Sequence, residues 1–376
     1  MKNPYKKIVL SYLALSLGIF VIAPAVFVYS ADPCHVFHKP FSGMLYHGFS
    51  PIARCQYAGL INSYLSDDSE GFDSIIIGSS LSENFRPEYI PEKTSLKRTL
   101  KIAIGYSTPV EQNILVQRAI DKGNIHHIYW EIFPYLYHMP ENYNFSNIAT
   151  LERFPAYLYN NEKIDDYRYI FNLSTLVSSI DIIQGEKYFI DTIEKIGYWE
   201  NLCGSQNICD QFYSAEAIEK IINEYTPKKI SIEEKKLNQS EVYKNFDEFV
   251  LKKINNYCNS QISIDLFFPP VSMLWFSNLT DKDFYYEFYL LRHAVTKTSS
   301  CRNVRVFAFN NELWITGDLS NYHDPKHFYG SIHDFIIDAM AQNRNRVTLE
   351  NIDDFENQMI ININEYQPYG TKLYPH

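Results

Sequence analysis

Two stretches of this chain carry residue types suited to nucleophilic catalysis. In FDSIIIGSSLSENF, Ser79 and Ser80 follow Gly78 at the abrupt end of the apolar run Ile75-Ile76-Ile77. In NYHDPKHFYG, Asp324 precedes His327 by one helical turn's spacing, just before a helix-like segment. A hydroxyl attacks a carbonyl only when a base takes its proton. A carboxylate that holds one imidazole nitrogen leaves the other free to face that hydroxyl. Each stretch alone has a bland reading. Gly-Ser-Ser at a strand end is usually a turn, and Asp-x-x-His is usually a helix cap with a surface histidine. Together they form a nucleophile–base–orienter set, and the residues alone leave open which serine reacts. His323 adjoins the pair and is an alternative base, although the spacing favours His327. Ser82 reads as a turn cap, and Asn84 as a cleft hydrogen-bonder or a helix cap.

Such a set works only if the fold brings its parts together. Ser74–Ile77 reads as a first strand, and Leu100–Ile104 (LKIAI) as a second, ending at Gly105. His127–Phe133 (HIYWEIF), Ile262–Phe268 (ISIDLFF) and Val304–Phe309 (VRVFAF) read as three more. Pro109–Ile120 reads as a helix, with Pro109 in its first turn and Asp121-Lys122-Gly123 as its stop. Phe328–Met340 reads as the last core helix. Short apolar strands alternating with helices predict parallel βαβ units and an α/β three-layer α/β/α sandwich. Ligands of such sheets bind beyond the carboxyl ends of the strands. Gly78-Ser79-Ser80, Gly105, Glu131, Pro269 and Asn310 should therefore converge.

Outside the sheet, the most informative segment is the N-terminus. Lys2, Lys6 and Lys7 precede an uncharged apolar run, residues 8–29, about as long as a hydrocarbon core is thick. A signal peptide has a shorter apolar core, so an uncleaved membrane anchor is the favoured reading over cleavage after Ser30. The lysines place residues 1–7 in the cytoplasm and the body outside, in a periplasmic or extracellular compartment. Residues 30–59 read as a linker that packs on the domain and 60–342 as the main domain. A mostly helical insertion is expected over about 139–259, with helical fragments at Ser214–Tyr225 and Glu233–Lys253, and 343–376 as a polar tail. Six cysteines in an exported body predict disulfides, and the pairs expected are Cys34–Cys55, Cys203–Cys209 and Cys258–Cys301. No CxxC pair occurs, and His35, His38 and His47 lack carboxylates at ligand spacing, so no metal and no cofactor is expected. His126-His127 opens a strand and reads as structural. A formal charge of −10 without a basic patch argues against a nucleic-acid partner.

DSIIIGSS and DPKHF resemble the first and last blocks of the SGNH/GDSL hydrolase superfamily. The likeness is closer to its membrane-anchored branch, which includes the teichoic-acid D-alanyl-transfer protein and alginate-type O-acetylation proteins. IAIGYSTPVEQ (Ile102 to Gln112) resembles the second block, and FFPPVSMLW (Phe267 to Trp275) a later strand-end turn. The resemblance covers roughly residues 60–135 and 260–340. It implies Ser80 as nucleophile, with Ser79 at the position of the motif's aspartate. It implies His327 as base and Asp324 as its orienting carboxylate. The Gly105 and Ser80 N–H groups would form the oxyanion hole, whose donors are each worth about 3 kcal/mol of barrier. It departs at the third block, where Tyr129-Trp130-Glu131 stands in place of an asparagine-bearing motif. An ionised Glu131 beside an oxyanion would be repulsive, so it must be protonated, turned away or used to bind something else. The function implied is a serine O-acyltransferase or esterase modifying an envelope polysaccharide or glycolipid through an acyl-enzyme. The alternative is a degenerate glycan-binding partner of a membrane-bound O-acyltransferase.

Overall fold

The computed structural model describes residues 4–39, 45–46, 53–137, 154–183, 189–190, 215–226, 239–279 and 281–370. Five strands run parallel: β1 (Ser74–Gly78), β2 (Thr99–Ala103), β3 (His127–Glu131), β4 (Ser263–Phe268) and β5 (Val304–Ala308). A short strand, β6 (Arg346–Val347), closes one edge antiparallel to β5. The order is β2-β1-β3-β4-β5-β6. β1 is buried along its whole length, as a continuous apolar run with helices on both sides requires.

Side-chain direction shows which helices cover which face. Trp130 on β3 donates its indole N–H to Gln112 of the helix Pro109–Lys122, at 2.9 Å. Its neighbour Glu131 points the opposite way, as alternation along a strand demands. Phe267 of β4 is in register with Glu131 and packs edge-on against Phe85. Phe85 in turn meets His333 of the helix Gly330–Ala341. Helices therefore lie on both faces. The strand order reverses direction between β1 and β3, so the chains leaving these two strand ends diverge. In open parallel sheets that divergence opens the ligand crevice.

The five parallel strands lie within a residue or two of the segments read from the sequence. Outside the parallel strands, three further segments take form. Of the segment read as a linker packing on the domain, residues 30–39 and 53–59 lie against the body. The Asp32 carboxylate accepts the N–H groups of Val36, Phe37 and His38 at 2.8–2.9 Å and the Tyr169 hydroxyl at 3.1 Å. Cys34 is bonded to Cys55, and a helix begins at Ala53. Residues 343–376, expected as a tail, contain β6 and the helix Ile352–Glu365. Two residues are too few to show a strand period. That helix buries Ile352, Met359 and Ile363 along a sparse stripe in an otherwise polar sequence. The expected insertion supplies the helices Tyr167–Ile170, Leu173–Ile183, Ala215–Glu224 and Gln239–Phe246, the last running on through a π turn to Tyr257. Its residues Phe189–Ile190 pair with Leu45–Tyr46 in a separate two-stranded ribbon.

At the N-terminus, Tyr5–Ala31 is a 27-residue helix whose most apolar 18 residues have a mean hydropathy of 2.2, long and apolar enough to cross a membrane. The Cys258–Cys301 disulfide is present as expected. Cys203 and Cys209 lie outside the described residues.

Candidate active site

β1 ends at Gly78, and the chain turns at once. A Cβ at Gly78 would collide with the Ser82 side chain and stand 2.6 Å from Glu131 Oε2, so only glycine fits. Ser79 then caps a single 3-10 turn, Ser80–Ser82, by accepting the Leu81 N–H on its hydroxyl. Ser80 opens that turn, so its N–H has no partner within it. The Ser80 hydroxyl lies 2.9 Å from His327 Nε2. His327 Nδ1 lies 2.6 Å from Asp324 Oδ2. With Nδ1 carrying the proton toward the carboxylate, Nε2 is left to accept from Ser80.

Asp324 and His327 are locally rigid. The other oxygen of Asp324 accepts the N–H groups of Lys326 at 2.8 Å and of His327 at 2.9 Å. Burial alone would raise the Asp324 carboxyl, but His327 and these two N–H groups more than offset it and hold it down at about 2. The turn after β4 clamps the same loop. Ser272 donates its N–H and hydroxyl to Pro325 O while capping the helix Met273–Asn278, and the Tyr322 hydroxyl donates to Pro270 O at 2.6 Å. On the other side, His333 Nε2 lies 2.8 Å from Leu81 O and ties the serine turn to the last helix.

Glu131, expected at the cleft, lies beneath it, fully buried. Its carboxylate accepts the Ser79 N–H at 3.1 Å and the hydroxyls of Ser79 and Ser82 at 2.5 Å. Ser82 and Ser79 thus brace the turn from below, leaving Ser80 as the serine that points outward. Burial raises the Glu131 carboxyl against these three hydrogen bonds, which lower it. Gly105, expected as an oxyanion donor, directs its N–H toward the buried Glu83 carboxyl, which burial pushes up to about 8. Neither Glu83 oxygen closes a full hydrogen bond. Asn84, expected in or near the cleft, is buried behind the turn and does not line it. His323 donates its backbone N–H to His327 O, and its ring packs on Tyr329. His127 pairs with Asp265, which also receives Arg305 bidentately, an ion cluster within the sheet.

The cleft around Ser80 and His327 is lined by Ser79, Leu81, Tyr106, Phe133, Tyr135, Leu136 and Lys326. Most of these had no role from sequence reasoning. Tyr106 holds φ at 56°, a left-handed conformation that a tyrosine rarely adopts, and its ring is exposed. Lys326 Nζ lies 5.7 Å from the Tyr106 ring centroid and 5.3 Å from that of Trp275. Two signals were present in the sequence: Lys326 sits inside DPKH, and Tyr106 directly follows Gly105. Neither residue type announces itself at those positions. No family model matches the chain, and no curated protein matches it.

Proposed function

We propose that the chain is a membrane-anchored serine O-acyltransferase or esterase of the SGNH kind, a three-layer α/β/α hydrolase-like domain acting on an envelope glycan. The observation that carries this reading is the relay from Ser80 Oγ to His327 Nε2 at 2.9 Å and from His327 Nδ1 to Asp324 at 2.6 Å. His327 takes the hydroxyl proton as Ser80 Oγ bonds to the acyl carbon of an ester. The tetrahedral oxyanion collapses, the donor alcohol leaves with the proton from His327, and the acyl group remains on Ser80. His327 then takes a proton from the acceptor, whose oxygen displaces Ser80. A sugar hydroxyl as acceptor makes a transferase, and water makes an esterase. Asp324 stays ionised throughout and stabilises the imidazolium. Tyr106 and Tyr135 offer flat faces to a sugar ring, and Lys326 offers a cation beside them.

The test is labelling of the full-length protein by a fluorophosphonate. Wild type should label at Ser80, and Ser80→Ala should not. Equal labelling of both would sink the reading.

A second reading, a non-catalytic glycan-binding partner of a membrane-bound O-acyltransferase, is favoured by one observation. The Gly105 N–H faces Glu83 rather than an oxyanion. Normal acylation of the polymer in cells carrying Ser80→Ala with His327→Ala would select it.

A further inference from the structure

Over its described side chains, 173–180, the helix Leu173–Ile183 turns only Leu176 of its large apolar residues toward the core. Its small polar residues Thr175 and Ser179 are buried, while Leu173, Val177 and Ile180 are 75%, 50% and 40% exposed. A helix on a water-facing domain shows the reverse pattern, apolar residues inward and polar residues outward. Leu173, Val177 and Ile180 follow the i, i+4, i+7 spacing of one face, and the helix carries no charge before Asp181 in its last turn. The chain just before it exposes Ile164, Tyr167 and Phe171 by more than half, but among the charged Glu162, Lys163, Asp165, Asp166 and Arg168, so the uncharged face begins at Phe171.

The helix packs against Ala23–Ala31, the last turns of the N-terminal apolar helix. Thr175 and Ser179, spaced by four, form a small-residue strip of the kind that lets helices approach closely in lipid. Ser179 Oγ donates to Thr175 O at 2.8 Å, so this buried hydroxyl is satisfied within its own helix. On the N-terminal helix, Val28 is buried, while Val26 and Tyr29 face outward and are exposed. Tyr169 fastens the base of the pair by its bond to Asp32. The two helices therefore form one unit that exposes apolar side chains on both members, Val26 on the first and Leu173, Val177 and Ile180 on the second. Hydrocarbon around the first is continuous with the exposed face of the second.

We infer that Leu173–Ile183 is a second membrane-embedded element, seated in the lipid acyl chains of the leaflet beside the body. The eight uncharged residues 173–180 span about 12 Å, well under half of a hydrocarbon core of about 30 Å, so the element enters one leaflet and does not cross. This rests on the reading of Tyr5–Ala31 as a membrane anchor. Two points of attachment fix the body's rotation about the anchor, where a lone helix on a free linker would leave it open.

The test uses full-length protein carrying the photo-crosslinker p-benzoylphenylalanine at one position at a time. The protein is reconstituted into phosphatidylethanolamine/phosphatidylglycerol vesicles, and adducts are read by mass spectrometry. Leu13 reports on the anchor, Val177 and Ile180 on the proposed face, and Leu349 on an exposed apolar residue of the edge-strand region. Phospholipid adducts at Leu13, Val177 and Ile180, with none at Leu349, support the inference. Adducts at Leu13 alone overturn it and leave the anchor standing. No adduct at Leu13 overturns both. Adducts at Val177 and Ile180 only to protein, whether a second copy or another chain, overturn it in favour of a protein interface.

Discussion

Asp324 does two things that can be separated by measurement. It holds His327 in the tautomer that faces Ser80, and it is itself a carboxylate with a depressed pKa. Asp324→Asn should keep the loop's N–H contacts while removing the charge and inverting the tautomer, so kcat should fall by on the order of 10³–10⁴ with KM little changed. The stability effect has a defined sign. The folded carboxyl titrates near 2 and an unfolded one near 3.8, so its contribution is complete above about pH 4 and is lost as pH falls through 2. That contribution is about 2 kcal/mol, and denaturant midpoints of wild type and Asp324→Asn should converge toward pH 2. Convergence at neutral pH instead would show that the contacts, not the charge, carry the stability. Glu131→Gln makes a different prediction. The amide offers one acceptor where the carboxylate takes three donors, so the turn bearing Ser80 loosens and fluorophosphonate labelling slows.

At the scale of elements, the site is three strand-end turns held against one another. The turn after β4 is the least obvious part, because Ser272 touches neither Ser80 nor His327. Its hydroxyl caps one helix and fixes Pro325 O, one residue after Asp324. Ser272→Ala should cost about 1 kcal/mol of stability for the lost cap and should lower kcat more than that cost implies. Thermal unfolding and steady-state kinetics on the same samples separate the two, and an unchanged kcat would show that the loop holds itself. Much of this level was legible in the sequence. Ile75-Ile76-Ile77 and LKIAI are fully buried strands whose apolar runs stop at turn residues, so their positions followed from composition alone. What the sequence left open was direction. Glu131 ends its strand at the crevice, and only the pleat decides that its side chain goes under the turn rather than into the cleft. The partner that settles it, Ser82, reads as an ordinary cap. Tyr106 was invisible for a related reason, since backbone torsion is not written in residue type when the residue is not glycine.

At the scale of the molecule, the two described disulfides act at opposite ends of the strands. Cys258–Cys301 joins the segments that lead into β4 and β5, at the end of the sheet away from Ser80. Cys34–Cys55 joins the foot of the N-terminal helix to the helix Ala53–Leu60, which supports the turn after β2. In that turn Arg54 donates to Gly105 O at 3.0 Å and to Glu111 at 2.8 Å, while the Tyr57 hydroxyl donates to Ala103 O. Loop-closure entropy assigns the two bonds similar weight, about 3 kcal/mol for the separation of 21 and about 4 kcal/mol for that of 43. Their effects on the site should differ. Paired serine replacement of Cys34 and Cys55 should lower stability and also slow fluorophosphonate labelling at Ser80, because Arg54 loses its fixed position. Paired replacement of Cys258 and Cys301 should lower stability by as much or more, with labelling of the folded protein unchanged. Labelling rates measured well below each variant's unfolding midpoint distinguish the cases. Equal slowing in both would mean that the site responds to global stability and not to the link between the N-terminal helix and the turn after β2.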